Sequence, residues 1–192
     1  MSLYKFHLRP VTHDDAGFII ELRQDDSRNK YLNPVSSKLE DQLRWLDIYF
    51  ERPGDFYFII EDIETRTSHG AVGIYNFDPT LKEAEWGRWI IRADSTAALE
   101  TACMIYDCCF FTLDLAALNS FTIEDNVRTV AFHDRFGVAR DLAYDQLISI
   151  GDKQYTTIHH RMTKTAWLNM RDEKLSLVAK FADSHPTLKA RG

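Results

Sequence analysis

The chain has 192 residues, 45% of them apolar, which is ample for one core of ordinary size and cramped for two domains. Its 23 basic residues face 29 acidic ones for a net charge of -6, which argues against a protein that lives on nucleic-acid phosphates or anionic membrane surfaces. A cationic or neutral partner is easier to accommodate.

The N-terminus, MSLYKFHLRP, lacks a continuous apolar stretch behind its charges, and no window approaches the roughly eighteen apolar residues of a spanning helix. The expectation is a soluble, unexported protein. Tyr4 to Val11 alternate as a strand and stop at Thr12-His13-Asp14-Asp15, a run of helix-capping residue types. Phe18, Ile19 and Leu22 then have helical spacing, and a loop is predicted from Gln24 to Ser37, where Asn33-Pro34 breaks the pattern. Ser36 or Ser37 is expected to cap a second helix with an apolar face of Leu39, Leu43, Leu46 and Phe50, ended by Pro53-Gly54.

Three β-rich runs follow, Phe56 to Ile60, Ala71 to Phe77 and Ala84 to Ile91, and they read as an antiparallel meander. Thr96 to Leu113 is a long helical stretch without internal Pro or Gly, with Leu99, Ala102, Ile105, Cys109, Phe110 and Leu113 on one side. It contains all three cysteines, Cys103, Cys108 and Cys109, which match no CxxC pattern and have no second ligand cluster. They read as packing residues of a protein in a reducing, cytoplasmic compartment, and no metal is expected.

Leu118 to Ile123 is a short strand, and Val127 to Phe136 a helix closed by Gly137 at the position where glycine avoids left-handed strain. Two further β-like segments, Leu142 to Ile150 and Gln154 to Met162, flank Gly151-Asp152, a two-residue hairpin connection. From Lys164 the chain carries Trp167, Leu168, Leu175, Leu177, Val178 and Phe181 at loosely helical spacing, able to dock on the core or on a second subunit. The expected organisation is one domain over residues 1–170 and a partly helical tail over 171–192.

Two motifs carry a resemblance. Arg92-Ala93-Asp94-Ser95-Thr96-Ala97, between the fourth strand and the long helix, resembles the R/Q-x-x-G-x-G/A loop of the GNAT N-acetyltransferases, with Ser95 in place of the first glycine. Asn126 through His133 to Gly137 resembles the same family's N-x-x-(A/S)-x-x-x-Y-x-x-x-G helix at matching intervals, with His133 in place of tyrosine. Trp86-Gly87 fits the branch near the ribosomal-protein and nucleotide-amino-sugar acetyltransferases. The resemblance runs from about Phe6 to Trp167 and implies an α/β (α+β) fold with a mixed central sheet of about seven strands flanked by helices.

The resemblance also implies acetyl-CoA as co-substrate, direct attack of an amine on its thioester, and no protein nucleophile. It places the pyrophosphate on the backbone of Arg92, Ser95, Thr96, Ala97 and Ala98, where unpaired helix amides meet an anion. It puts Asn126 near the pantetheine arm, a carbonyl-polarising amide near Ile90 or Ile91, Glu85 as base and His133 as the acid that protonates the departing sulfur. Otherwise Glu85 is a solvated strand residue or a partner of Arg88, and His133 a capping or packing residue. The acceptor is a small-molecule amine between the early loop and the middle strands, with Arg23, Arg28, Tyr31, Asn33, Tyr75 and Asn76 as lining. For a nucleotide-linked amino sugar, Arg23 or Arg28 would bind the diphosphate and Tyr31 would stack on the base. The alternatives are a protein or peptide N-terminal acetyltransferase and a non-catalytic acyl-CoA sensor; homodimers are common among such proteins.

Overall fold

The computed structural model describes residues 4–25, 31, 35–144 and 146–184. In chain order they form β1 (Phe6–Pro10), a 3₁₀ turn (His13–Asp15), α1 (Ala16–Gln24), α2 (Leu39–Phe50), β2 (Phe56–Asp62), β3 (Ser68–Asp78) and β4 (Glu83–Ile91). Then come α3 (Ala98–Asp107) with a π-helical extension (Cys108–Thr112), β5 (Ala117–Ile123), α4 (Val127–Phe136), β6 (Ala139–Arg140), a 3₁₀ turn (Leu142–Tyr144), β7 (Leu147–Ile150), β8 (Lys153–Thr163) and α5 (Lys164–Ser184). The predicted order is present, and the sheet has eight strands instead of seven because of the two-residue β6.

The strands run β1-β2-β3-β4-β5-β8-β6, with β7 on β8. All neighbours are antiparallel except β4 and β5. The β2-β3-β4 meander is as predicted, and Gly151, at φ +57°, makes the tight turn between Ile150 and Lys153. On one face α3 and α5 cover Phe6, Ile60, Val72, Ile74, Ala84, Trp86 and Leu118; on the other α1 and α2 cover Tyr57, Ile59, Ala71 and Ile90. Among the described residues no helix is long and apolar enough to cross a membrane, and no group of His, Cys, Asp and Glu could hold a metal ion.

The polar run after β1 organises the first helix. The Asp15 carboxylate accepts the Thr12 N–H (2.8 Å) and hydroxyl (3.0 Å), and Arg9 grips it at 2.9 and 2.7 Å.

Four details differ from expectation. The α2 stripe facing the sheet is Gln42, Leu46 and Tyr49, while Leu39 and Phe50 are exposed: Tyr49 is amphipathic enough to bury its ring and give its hydroxyl oxygen to the Tyr57 N–H (2.8 Å). The N-cap of α2 is Lys38, and Ser36 accepts the Lys38 N–H instead of capping the helix. Helix α3 begins at Ala98 and relaxes into a π turn at the cysteines; Cys103 and Cys109 are fully buried, and burial pushes the Cys103 thiol up to about 12, so they pack. Residues Leu142–Tyr144 form a 3₁₀ turn, so the strand expected from Leu142 begins only at Leu147.

Helix α5 docks on the core: Trp167 and Val178 are buried in the main cluster, whereas Leu168 and Phe181 face solvent. Asp107 of α3 accepts the Trp167 Nε1–H (2.9 Å) and two Arg171 donors (2.7 and 2.8 Å). Trp167→Ala removes a fully buried ring and this bond, and should lower unfolding free energy in urea by about 3–5 kcal/mol. Leu168→Ala, at an exposed position on the same turn, should stay within about 0.5 kcal/mol.

Candidate functional site

The site begins where the sheet opens. β4 and β5 pair only at Glu83↔Ala117, Ala84↔Leu118 and Glu85↔Asn119. Beyond Glu85, β4 stays with β3 while β5 continues along β8 to Ile123. A one-residue bulge follows in β4: Gly73 pairs with Gly87 and Ala71 with Ile90, and Arg88 sits at φ +49°. Between the parted strands lies a cleft of about 160 Å³, bordered by Trp86 to Trp89 of β4, Ser120 to Ile123 of β5, and Asn126, Thr129 and His133 from α4.

The second motif spans α4 and both its ends. The Asn126 side chain accepts the Thr129 N–H (3.4 Å) as N-cap, and Gly137 ends the helix at φ +95°, its N–H reaching His133 and Asp134 carbonyls. One α-helical face then turns His133 inward, where it is 2% exposed. Its ring meets Trp86 edge-on at 5.4 Å and stacks on His160 at 4.8 Å. Burial first, and His160 second, lower its pKa to about 3. At neutral pH the imidazole is uncharged, so the imidazolium expected from a near-neutral histidine is not there to give up a proton. Among the described residues that line the cleft, His133 Nδ1, the Ser120 hydroxyl and Trp89 Nε1 are buried without a hydrogen-bond partner. Asp134, beside His133, turns outward: Arg140 grips it at 2.8 and 2.6 Å, and His160 Nε2 lies 3.1 Å away, which holds its carboxyl well below the usual range.

The loop of the first motif follows β4 directly. Ala97, the N-cap of α3, has no side chain to cap with, and the Ser95 hydroxyl accepts the Ala97 N–H (3.2 Å). Glu100, the acidic residue of the first turn, points away, accepting the Lys5 and Phe6 N–H groups at 2.8 and 3.1 Å, and burial pushes its carboxyl up. Asp94 pairs with Arg92 at 3.5 Å, and Arg92 also reaches Glu21 at 3.4 Å. The first-turn amides of α3 thus meet no carboxylate of their own helix, which suits a pyrophosphate.

On the opposite face, Glu85 accepts the Tyr75 hydroxyl (3.0 Å) and the Asn76 Nδ2–H (2.9 Å). Arg88 does not pair with it; the guanidinium grips Asp55 at 2.5 and 2.8 Å. Glu83 shares the face and is bound by Asn119 (2.9 Å) and Arg161; burial opposes its ionisation, and these bonds outweigh that and hold its carboxyl below the usual range. Tyr31 lines the cleft, its hydroxyl on the Asp125 carbonyl (2.8 Å) and its ring edge-on to Tyr155 at 6.4 Å. Arg23 is withdrawn beside Tyr57 and Arg88, and burial lowers its pKa. Arg28 and Asn33 lie outside the described residues.

Of the residues singled out in sequence, the cleft gathers Tyr31, Asn126 and His133. Glu85, Tyr75 and Asn76 form a separate hydrogen-bonded group just before the opening, and Ile90 and Ile91 lie past the bulge, paired with Ala71 and Gly70. Sequence reasoning passed over Trp89, Ser120 and Phe121, and took Arg88 only as a partner for Glu85. Only the glycine inside the β4 pattern, Gly87, signalled a bulge nearby.

Residues 5–139 match the family model of the acetyltransferase (GNAT) domain. The chain belongs to the GNAT acetyltransferase family. It is an acyltransferase, and this family moves the acetyl group of acetyl-CoA to an amine. No curated protein matches its sequence. Among solved structures it is similar to apo FdhC, described as a nucleotide-linked sugar GNAT, at 28% identity and TM-score 0.72, over 88% of this chain and 92% of that one. It also resembles a single-residue variant of the spermidine N-acetyltransferase SpeG from Vibrio cholerae, at 15% identity and TM-score 0.73, over 86% and 97%. A dodecameric form of that enzyme matches at 15% identity, TM-score 0.70 and the same coverage. The SpeG likeness speaks to the fold alone.

The neutral His133 gives this acetyltransferase a measurable pH dependence. Its folded pKa, about 3, lies below the unfolded value of about 6.5, so the unfolded chain binds the extra proton and stability falls as pH drops from about 6.5 toward 3. From this group alone, unfolding free energy should be about 2 kcal/mol lower at pH 5 than at pH 7. Urea denaturation at both pH values should show His133→Phe losing most of that difference.

Proposed function

We propose that the protein acetylates the primary amine of a nucleotide-linked amino sugar, with acetyl-CoA as donor. The observation that carries the transfer reading is the parting of β4 from β5 after Glu85, which opens a cleft in the sheet between Trp86 to Trp89 of β4, Ser120 to Ile123 of β5 and the start of α4. The sugar-nucleotide reading is supported by the 28% likeness to FdhC over nearly its whole length and by Tyr31, whose ring at the cleft offers a face for a base.

The donor supplies an acetyl group activated as a thioester. The amine attacks the carbonyl carbon, the C–N bond forms, the C–S bond breaks, and the ammonium proton must leave. Glu85 takes that proton, directly or through one water; its carboxylate is fixed by Tyr75 and Asn76 and lies on the same face as Gly87, which borders the cleft. The backbone between Trp86 and Trp89 supplies the amide for the carbonyl oxygen, since it borders the cleft where Ile90 and Ile91 do not. His133, neutral and with an unpartnered Nδ1, serves the departing sulfur as a hydrogen-bonding group, and the thiolate takes its proton from water.

Thiol release should be followed with acetyl-CoA and a panel of nucleotide-linked amino sugars, free amino sugars, spermidine and basic peptides. Nucleotide-linked amino sugars should give the highest kcat/KM. Glu85→Gln should lower kcat about 100-fold while calorimetric acetyl-CoA binding stays within about threefold. Turnover confined to polyamines or peptides would overturn the acceptor assignment, and binding without turnover on any acceptor would favour an acyl-CoA sensor.

A further inference from the structure

The bulge in β4 exchanges the sides on which two residues lie. By strict alternation Arg88 would share the side of Trp86, and Trp89 that of Gly87. Instead Trp89 packs against Trp86 (5.1 Å), Phe132 (4.9 Å) and His133 (6.3 Å), and Arg88 emerges on the opposite face. There its guanidinium lies 4.4 Å from the Tyr75 ring centre, with the Trp45 and Tyr57 rings at 5.9 and 6.0 Å. A non-glycine residue at φ +49° is strained backbone, and it persists only where its surroundings hold it. Here the holder is Asp55, largely buried and bound to Arg88 through both oxygens.

Two glycines clear the path for this arrangement. A Cβ on Gly87 would stand 2.3 Å from the Tyr75 hydroxyl oxygen, so only glycine lets that hydroxyl cross the β4 backbone to Glu85. A Cβ on Gly73 would stand 3.3 Å from the Phe56 carbonyl oxygen and 3.4 Å from Arg88 Cδ. Burial first, and Glu85 second, push the Tyr75 phenol well above its ordinary range, so it stays protonated as a donor. Of the other charged groups on this side, Glu83 from β4 is bound to Arg161 of β8, Asp55 is bound to Arg88 with Arg52 4.0 Å away, and Arg23 lies beside Tyr57 and Arg88.

We propose that Arg88, gripped by Asp55, is a positioning residue that holds the Tyr75 ring over Gly87 and so fixes the Glu85 carboxylate for the acceptor amine. The inference rests on the reading of Glu85 as the base. The guanidinium acts on the reaction through Tyr75 and Glu85, and its effect therefore depends on Glu85 being present.

The test is a double-mutant cycle on kcat with one acceptor, using Arg88→Lys, Glu85→Gln and both together, beside thermal midpoints. Lysine keeps the charge and loses the bidentate fork. The expected result is a kcat loss of about tenfold for Arg88→Lys, with the KM for acetyl-CoA unchanged, and no further loss when Glu85 is already Gln. Asp55→Asn, which loosens the grip and leaves the guanidinium, should follow the same pattern and stands in if Arg88→Lys melts below the assay temperature. An equal loss from Arg88→Lys with and without Glu85 would overturn the positioning role and leave the base reading intact. Wild-type turnover by Glu85→Gln would remove the base reading, and the positioning role with it.

Discussion

The structure depends on one concession: a central sheet that stops being a sheet at Glu85. Backbone donors and acceptors inside a protein are seldom left unmatched, and a parallel pair that ends after three residue pairs exposes the edges of two central strands. The chain compensates by keeping β4 on β3, through the bulge at Arg88, and β5 on β8 over its whole length. The walls of the opening are closed by Trp86 and Trp89 and by α4, whose position is fixed by the Asn126 cap and the left-handed Gly137. Among the described residues, three buried polar groups without a hydrogen-bond partner lie on the cleft wall: the His133 Nδ1, the Ser120 hydroxyl and the Trp89 Nε1.

The same opening sets the electrostatics. His133 is driven neutral because it is buried among rings and stacked on His160, while Asp134, one residue on, is drawn outward by Arg140. The charged chemistry is kept on the other face, where Glu85, Glu83, Arg88, Asp55 and Arg161 are all hydrogen-bonded. A neutral wall on one side of the cleft and an ordered carboxylate on the other is an arrangement suited to moving an acyl group to an amine: in the proposed reaction the proton to be removed and the sulfur to be released are handled on different faces.

Much of this was legible in the sequence because it is local. The αL position of Gly137, the two-residue turn at Gly151 and the cysteine-bearing helix each follow from a few neighbouring residues. The Arg88 bulge was not, since arginine carries no signal for positive φ and the residues that hold it, Asp55 just before β2 and Tyr75 of β3, are distant in sequence. Ser120 and Phe121 were missed because their place at the cleft follows from β4 and β5 parting, a property of register and not of either segment. The face of α2 was misread for a related reason: apolar periodicity favours Leu39 and Phe50, and Tyr49 wins only because its hydroxyl has the Tyr57 N–H to meet.

The most direct test of the central claim, that the parted strands form the acyl-CoA cleft, is calorimetric binding of acetyl-CoA to the wild type and to Thr129→Trp. Thr129 lines the cleft from a half-buried position on α4, so an indole there fills the space and leaves the core alone. Wild type should bind, and Thr129→Trp should lose at least about tenfold in affinity with its thermal midpoint little changed. Equal affinity for the two proteins would contradict the claim.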